Sequence, residues 1–305
     1  MANYWSDSRG TDDAPMIESM HKILSLWDRI DPRRTKRPLV LASDPDLRIE
    51  TGDIEGLLAA DKVAIVAGYS PSIKQSKSTY TYLQELARAG FGVFYINVCD
   101  DPRPLEFDGE LDSRIVIGRR ENRGYDFGTW AVALARFPQL GNKPFVLLTN
   151  DSLAGPFTSI QPMLERACYE GRADVVAATM SSQVKPHLQS YFMMFRGGIL
   201  AESALSLFFS RVRVEKSKED VVLHNELELR DVLTQLGYSY DVLFHPGQLS
   251  LAQENPTLYR WRELFEAGWP FVKKTIISDP STAPNGEAVA EVVKETFDTD
   301  INGWM

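Results

Sequence analysis

Four short apolar runs limit what this chain can fold into: Lys62-Val-Ala-Ile-Val-Ala67, Phe91 to Val98, Ile115-Val-Ile117 and Phe145 to Leu148. Each is too short for a helix and lacks polar alternation, so each reads as a strand buried on both faces. Helical stretches separate them, from about Ser76 to Ala89 (closed by Gly90) and from about Phe127 to Phe137. Strands spaced by helices imply a mostly parallel sheet. The pattern continues with a helix from Ile160 to Glu170, a strand from Ala173 to Ala178, and Tyr191-Phe-Met-Met-Phe195, which Gly197-Gly198 break. Helices follow from Ala201 to Phe209 and from Val221 to Leu236, the second with a C-cap expected at Gly237. A strand from Tyr240 to Phe244 closes the series.

The run at Phe145 stops abruptly at Thr149-Asn-Asp-Ser152, a polar cluster bounded by Gly155 and Pro156. Open α/β sheets bind ligands beyond the carboxyl ends of their strands, where this carboxylate is delivered. An Asx turn capping the next helix is the alternative. Asp100 and Asp101 also follow a strand and are secondary site candidates.

At 305 residues the chain has room for one large α/β domain or two smaller ones. The pattern above favours one domain over residues 61–280, an extension over 1–60 and a tail over 281–305. In the extension, Ile17, Met20, Ile23, Leu24 and Trp27 give Met16 to Ile30 the spacing of an amphipathic helix. The loop Asp31-Pro-Arg-Arg-Thr-Lys-Arg-Pro38 is basic, suited to an anionic headgroup or carrier phosphate, or simply solvated. A net charge of −9 argues against a nucleic-acid partner, which requires a basic face. No apolar run approaches the roughly 20 residues that span a bilayer, and the polar N-terminus shows no leader pattern. Cys99 and Cys168 suggest neither a disulfide framework nor a metal cluster. A cytoplasmic protein with at most peripheral membrane contact is expected.

Three constellations carry candidate chemistry. In Asn122-Arg-Gly-Tyr-Asp-Phe-Gly-Thr-Trp130, Gly124 and Gly128 permit close backbone approach, and Asp126 stands at a helix start as either a site residue or an N-cap. Asn150-Asp151 offers a carboxylate and an amide to a hard divalent cation, which keeps waters and leans on substrate phosphates. In His224-Asn-Glu-Leu-Glu-Leu-Arg230, a helical wheel places Glu226 within the arc of Leu223, Leu229, Val232, Leu233 and Leu236, and turns Glu228 to solvent. An inward carboxylate is either paired, with Arg230 in reach, or catalytic. His245, ending the last strand, could complete a metal site with Asp151, or be structural. His187 and Gln189 could contact a sugar or satisfy a loop. No Walker-type phosphate loop, Gly-x-Ser-x-Gly elbow or zinc-spaced ligand set is present.

Asn122-x-Gly124, a helix, and an apolar strand into Asn150-Asp151 together resemble the core of nucleotide-sugar-dependent glycosyltransferases of the GT-A fold. In that fold a strand ends in an Asp-x-Asp motif that binds a metal–diphosphate. Asp151 matches the last Asp, whereas Thr149 departs from the first. Asn122 to Trp130, Asn150-Asp-Ser152 with Gly155-Pro-Phe157, and His187-Leu-Gln-Ser-Tyr-Phe192 further resemble the rhamnan synthesis protein F family. So do Asn255-Pro-Thr257, Trp261 and Gly268-Trp-Pro-Phe-Val-Lys-Lys274.

The resemblance implies an α/β, GT-A-like single domain with a mostly parallel central sheet flanked by helices and helical N- and C-terminal extensions. It also implies an inverting glycosyltransferase of cell-surface polysaccharide synthesis. The donor would be a nucleotide-diphosphate sugar such as dTDP-L-rhamnose, and the acceptor a saccharide or lipid-linked saccharide. On that reading Tyr69, Ser70, Asn97, Asn122, Gly124, Asp126, Asn150 and Asp151 bind donor, and Asp151 with His245 holds Mg²⁺ or Mn²⁺. Glu226 is the base, Gln189 and Tyr191 orient sugar or acceptor with His187 nearby, and Trp130 shapes the pocket. A nucleotidyl- or sugar-phosphate transferase and a non-catalytic nucleotide-sugar-binding or assembly protein are the rival readings.

Overall fold

A computed structural model describes residues 36–43, 46–245 and 255–305. The helix expected over Met16 to Ile30 and most of the basic loop lie outside the described residues. Twelve strands occur among them: β1 (Arg48–Thr51), β2 (Lys62–Tyr69), β3 (Gly92–Val98), β4 (Ile115–Arg119), β5 (Phe145–Asn150), β6 (Leu153–Ala154), β7 (Val175–Ala177), β8 (Met180–Ser181), β9 (His187–Leu188), β10 (Phe192–Arg196), β11 (Tyr240–Val242) and β12 (Val272–Lys273). Eight form one sheet in the order β1-β4-β3-β2-β5-β10-β7-β11. Strands β4, β3, β2 and β5 are mutually parallel, and β7 and β11 run with each other. Strand β10 is antiparallel to both β5 and β7, and β1 is antiparallel to β4.

The apolar runs are continuous because both sheet faces are covered. Val63, Ile65 and Ala67 of β2 enter one core while Ala64 and Val66 enter the other. Helix α1 (Ile54–Ala59) and helix α2 (Lys77–Arg88) join the first strands, and α2 is capped by the Ser76 side chain, which accepts from Thr79 N. Helix α3 (Tyr125–Arg136) precedes β5, and its Trp130 is fully buried with Nε1 donating to Ile65 O at 3.2 Å. Trp130 is therefore part of the core. Helix α4 (Gln161–Tyr169) and helix α5 (Ser203–Ser210) occupy the stretches expected of them.

The expected single helix from Val221 to Leu236 is interrupted. Helix α6 (Lys218–Val221) and helix α7 (Leu227–Gln235) are joined by a π-helical segment, Val222–Glu226, in which Leu227 N donates to Val222 O. Helix α7 ends in a Schellman motif: Tyr238 N donates to Leu233 O, Gly237 N to Thr234 O, and Gly237 has φ 79°.

Both expected peripheral segments contribute to the fold. The extension supplies β1 to the sheet edge, and Arg37 pairs with Glu215 and Asp220. Residues of the tail (Ala283, Val289, Val293, Ile301 and Trp304) form a third core with Ala154, Phe157, Trp261 and Phe265.

Strands β3 and β4 lie on one side of β2, and the chain then returns as β5 on the other side. The carboxyl ends of β2 and β5 therefore flank a topological switch point, where sheets of this kind open a crevice.

Gly124 enters α3 with φ 82°, and a Cβ there would lie 2.5 Å from Val40 Cγ2. Gly124→Ala is expected to lower stability by about 1–3 kcal/mol, the scale of one strained left-handed residue, read as a shift in the urea-unfolding midpoint.

Candidate active site

Alternation along β5 decides what each residue of the polar cluster does. Val146 and Leu148 face the core under α3, and Leu147 faces the core under α2. Asn150 therefore points to the α3 side, where its Nδ2 donates to Asp126 Oδ2 at 2.7 Å. Its Oδ1 accepts from Ser152 N at 3.1 Å, so the Asx turn is present as well. Asp151 reaches across the switch point, where its Oδ2 accepts from Tyr69 N at 3.0 Å. The N-cap of α3 is Gly124, so Asp126 in the first turn does not fill the capping role. Tyr69 is 61% exposed and Tyr125, with φ 52°, is 37% exposed, which leaves two aromatic faces at this end of the sheet.

Other expected donor contacts are walls. Asn97 is fully buried: its Oδ1 accepts from Ser70 Oγ at 3.2 Å, and its Nδ2 donates to Tyr95 OH at 2.8 Å. Gln75 completes that network, donating to Ser70 Oγ and accepting from Tyr95 OH. Asn97 and Ser70 thus brace β2 against β3. Gly124 is buried against Val40 and Arg213 O, its missing side chain leaving room for protein. The turn before it is pinned by Arg120, which donates to Thr129 Oγ1 and Arg123 O; burial pushes its guanidinium down to about 10. Asn122 is exposed on that loop, and Asp101 is tied to Arg103 at 2.6 Å.

The second half of the site comes from β10. Its register pairs Phe192 with Thr149, so the residues before Phe192 run past the carboxyl end of β5. Ser190 Oγ donates to Glu226 Oε1, and His187 Nε2 lies 3.3 Å from Glu226 Oε2. His187 Nδ1 donates to Lys185 O at 2.8 Å, so the Glu226 contact is favourable only when Nε2 also carries a proton. Burial opposes the charge on each partner, but the mutual contact outweighs it. The Glu226 carboxyl is lowered by His187, Ser190 and Lys273, and the His187 imidazole is raised by Glu226 and Lys185 O. Glu226 therefore stands ionised at neutral pH.

Arg230 ion-pairs with Asp231 at 3.4 Å, outside this arrangement. Glu228, expected in solvent, is 1% exposed. The i→i+5 bonding of the π segment adds a residue to the turn and rotates α7 relative to a uniform wheel. Gln189 and Tyr191 are buried: Thr179 Oγ1 donates to Gln189 Oε1 and bonds Tyr191 OH, and Gln189 Nε2 donates to Asn255 Oδ1. They shape the wall beside Glu226 and do not present open polar groups. Ser190 and Lys273 had no assigned role in the sequence. Their only trace was membership of the motifs His187 to Phe192 and Gly268 to Lys274.

A divalent ion finds little here beyond Asp151. Thr149, at the position of the first acid, is fully buried, its Oγ1 donating to Tyr191 O at 2.6 Å and bonding Tyr82 OH at 2.8 Å. His245 follows β11, three strands from β5, or ~14 Å at the usual ~4.8 Å strand spacing. It lies 3.4 Å from Asp241, so the expected Asp151–His245 ligand pair does not assemble. Among the described residues no group of three His, Cys, Asp or Glu forms a metal cage. The donor set fits an ion held by one carboxylate, with phosphate and water supplying the rest.

The fold is an α/β sheet carrying carboxylates at its switch point. The family model of rhamnan synthesis protein F matches residues 111–303, and the chain belongs to that family. Virulence protein VirA of Vibrio anguillarum (strain ATCC 68554 / 775) is 28% identical over 222 residues, covering 62% of this chain and 70% of that protein. An uncharacterized protein of Sinorhizobium fredii is 26% identical over 186 residues, covering 59% of this chain and 48% of that one. Among solved structures, a glycosyltransferase involved in glycosylation of the major capsid of PBCV-1 aligns with a TM-score of 0.37 at 12% identity, covering 77% of this chain and 98% of that chain.

Restoring an acid by Thr149→Asp should destabilise the fold by about 3–5 kcal/mol, as for an uncompensated buried charge. Thr149→Val should cost about 1–3 kcal/mol through the unsatisfied Tyr191 carbonyl; urea unfolding separates the two. The His187–Glu226 pair sets a pH window. The raised His187 contributes stability in full below its ordinary 6.5 and loses it as pH rises through the raised value. The lowered Glu226 contributes above its ordinary 4.5 and loses it as pH falls through the lowered value. The stability gap between wild type and His187→Gln should be widest between those two ordinary values and shrink on either side, as read by unfolding across pH.

Proposed function

We propose that this protein is an inverting glycosyltransferase of the GT-A type. It moves L-rhamnose, or another deoxyhexose or hexose, from a nucleotide-diphosphate donor to a saccharide or lipid-linked saccharide acceptor. The observation that carries the reading is the convergence at one end of the sheet. Asp151, Asn150 and Asp126 gather at the switch point, and Glu226 is ionised and held by His187 and Ser190, which lead into β10, the strand next to β5. Membership of a family named for rhamnan synthesis supports the choice of sugar and a role in cell-surface polysaccharide assembly. A cytoplasmic location, at most peripheral to a membrane, goes with it; no helix of the described residues is long and apolar enough to cross a membrane.

The nucleotide lies across the ends of β2 and β5, beside the exposed ring of Tyr69. The acceptor hydroxyl oxygen attacks the anomeric carbon from the face opposite the diphosphate. The carbon–oxygen bond to the diphosphate breaks with its electron pair on the phosphate oxygen, and the hydroxyl proton passes to a Glu226 oxygen. His187 and Ser190 hold that carboxylate ionised and in one rotamer, so it waits in the basic form. Mg²⁺ or Mn²⁺, bound through Asp151 and donor phosphate, would add positive charge at the leaving group.

Glu226→Gln should leave donor binding intact and remove at least about two decades of turnover, the scale of general-base catalysis. Thermal-shift titration and transfer or hydrolysis assays over a nucleotide-sugar panel check both arms. Full turnover in that variant would move the base elsewhere. Ligand-induced stabilisation without turnover in wild type would favour the non-catalytic binding reading.

A further inference from the structure

The carboxylates Asp126 and Asp151 border the crevice where the donor diphosphate of the proposed reaction would lie. We propose that Lys273 binds the diphosphate of the donor and offsets its charge as the sugar departs, an inference that rests on the glycosyltransferase reading above.

Three observations place Lys273 there. Strand β12 pairs antiparallel with β6, with Lys273 opposite Leu153, and Lys274 N donates to Ser152 O at 3.2 Å. The backbone around Lys273 is thus fixed to the residues that directly follow Asp151. Its Nζ stands 4.9 Å from the centre of the Tyr191 ring. Tyr191 immediately precedes β10, and continuing the register sets it opposite Asn150. Finally, the Lys273 charge is felt at Glu226, where it is among the groups that lower the carboxyl.

An ammonium tied on one side to the segment after Asp151 and coupled on the other to Glu226 stands where a leaving diphosphate lies during in-line attack. Lysine meets phosphate as a compact point charge with three donors, and the ring of Tyr191 supports the ammonium by a cation–π contact. Lys273 exchanges no proton in the reaction. The electron pair released from the anomeric carbon stays on the diphosphate oxygen, next to Nζ, while Glu226 takes the acceptor proton.

The test is calorimetric titration of UDP, dTDP, GDP and inorganic pyrophosphate into wild type, Lys273→Met, Lys273→Gln, Lys273→Arg and Glu226→Gln, with Mg²⁺ present throughout. The neutral variants should bind the tightest wild-type ligand at least about tenfold more weakly, the scale of a lost charge-assisted bond. Lys273→Arg should restore most of that affinity, and Glu226→Gln should bind as wild type. If either folded neutral variant binds as tightly as wild type, the Lys273 assignment falls and the glycosyltransferase reading stands. If wild type binds none of the four ligands, both fall.

Discussion

The antiparallel insertion of β10 between β5 and β7 is the constraint on which the site depends. A sheet of parallel strands alone delivers only strand ends and the loops that follow them. Because β10 runs the other way, the residues that precede it arrive at the same end as Asp151. Its register sets Ser190, the partner of Glu226, one position beyond Tyr191. A slip of one residue would turn every side chain of β10 to the other face and carry that link away from the crevice. Thr149 guards against the slip, since its hydroxyl is bonded to Tyr191 O and Tyr82 OH inside the core. The residue that looks like a lost acid is thus a register pin. Its burial is the physical reason why an acid cannot stand there.

Buried polar groups in the rest of the region follow the same logic. Several of them are satisfied by other protein groups, and each group so satisfied is a fixed wall. The Ser70–Gln75–Tyr95–Asn97 network ties β2 to β3, and Thr179 ties Gln189 to Tyr191. The switch-point crevice therefore has rigid polar sides, and the rings of Tyr69 and Tyr125 are exposed beside it. The π-helical segment contributes in another way. It ends at Glu226, and its extra residue sets that carboxylate off the regular spiral of α7, facing β10.

The architecture was legible in the sequence because burial on both faces leaves a plain trace. The runs at Lys62, Phe91, Ile115 and Phe145 all became strands, and the glycine after Leu236 became a helix cap. The site was legible only where chemistry coincided with a strand end. Asp151 and Asn150 are candidates for that reason, and Asp126 for its place at a helix start, and the structure brings the three side by side. Asn97 and Ser70 share those positions yet point inward, since a strand-end residue on its own does not tell which layer it faces. Glu228 was misplaced because a wheel assumes a uniform helix and the π segment breaks it. The His187–Glu226 pair joins residues 39 positions apart (226 − 187) through tertiary structure, which no local pattern encodes.

Charge balance makes the site more than a collection of strand ends. Three carboxylates at one end of a chain of net charge −9 repel a nucleotide diphosphate by themselves. Each of the three is held by a hydrogen bond that fixes its direction: a backbone amide on Asp151, an amide side chain on Asp126, and a hydroxyl with an imidazolium on Glu226. Only the last of these holders is a cation. Glu226 and His187 offset one another, so the pair adds little net charge to the crevice. Under the proposed reaction, a diphosphate held there is favoured by added positive charge, from a metal ion or from Lys273. Thr149 stands where an Asp-x-Asp pair would put its first acid, and its hydroxyl is committed to the core, so Asp151 is the carboxylate that follows β5. Thr149 pins the register of β10 against β5, and β12 sets the Lys273 ammonium over the ring of Tyr191, the residue whose carbonyl Thr149 holds.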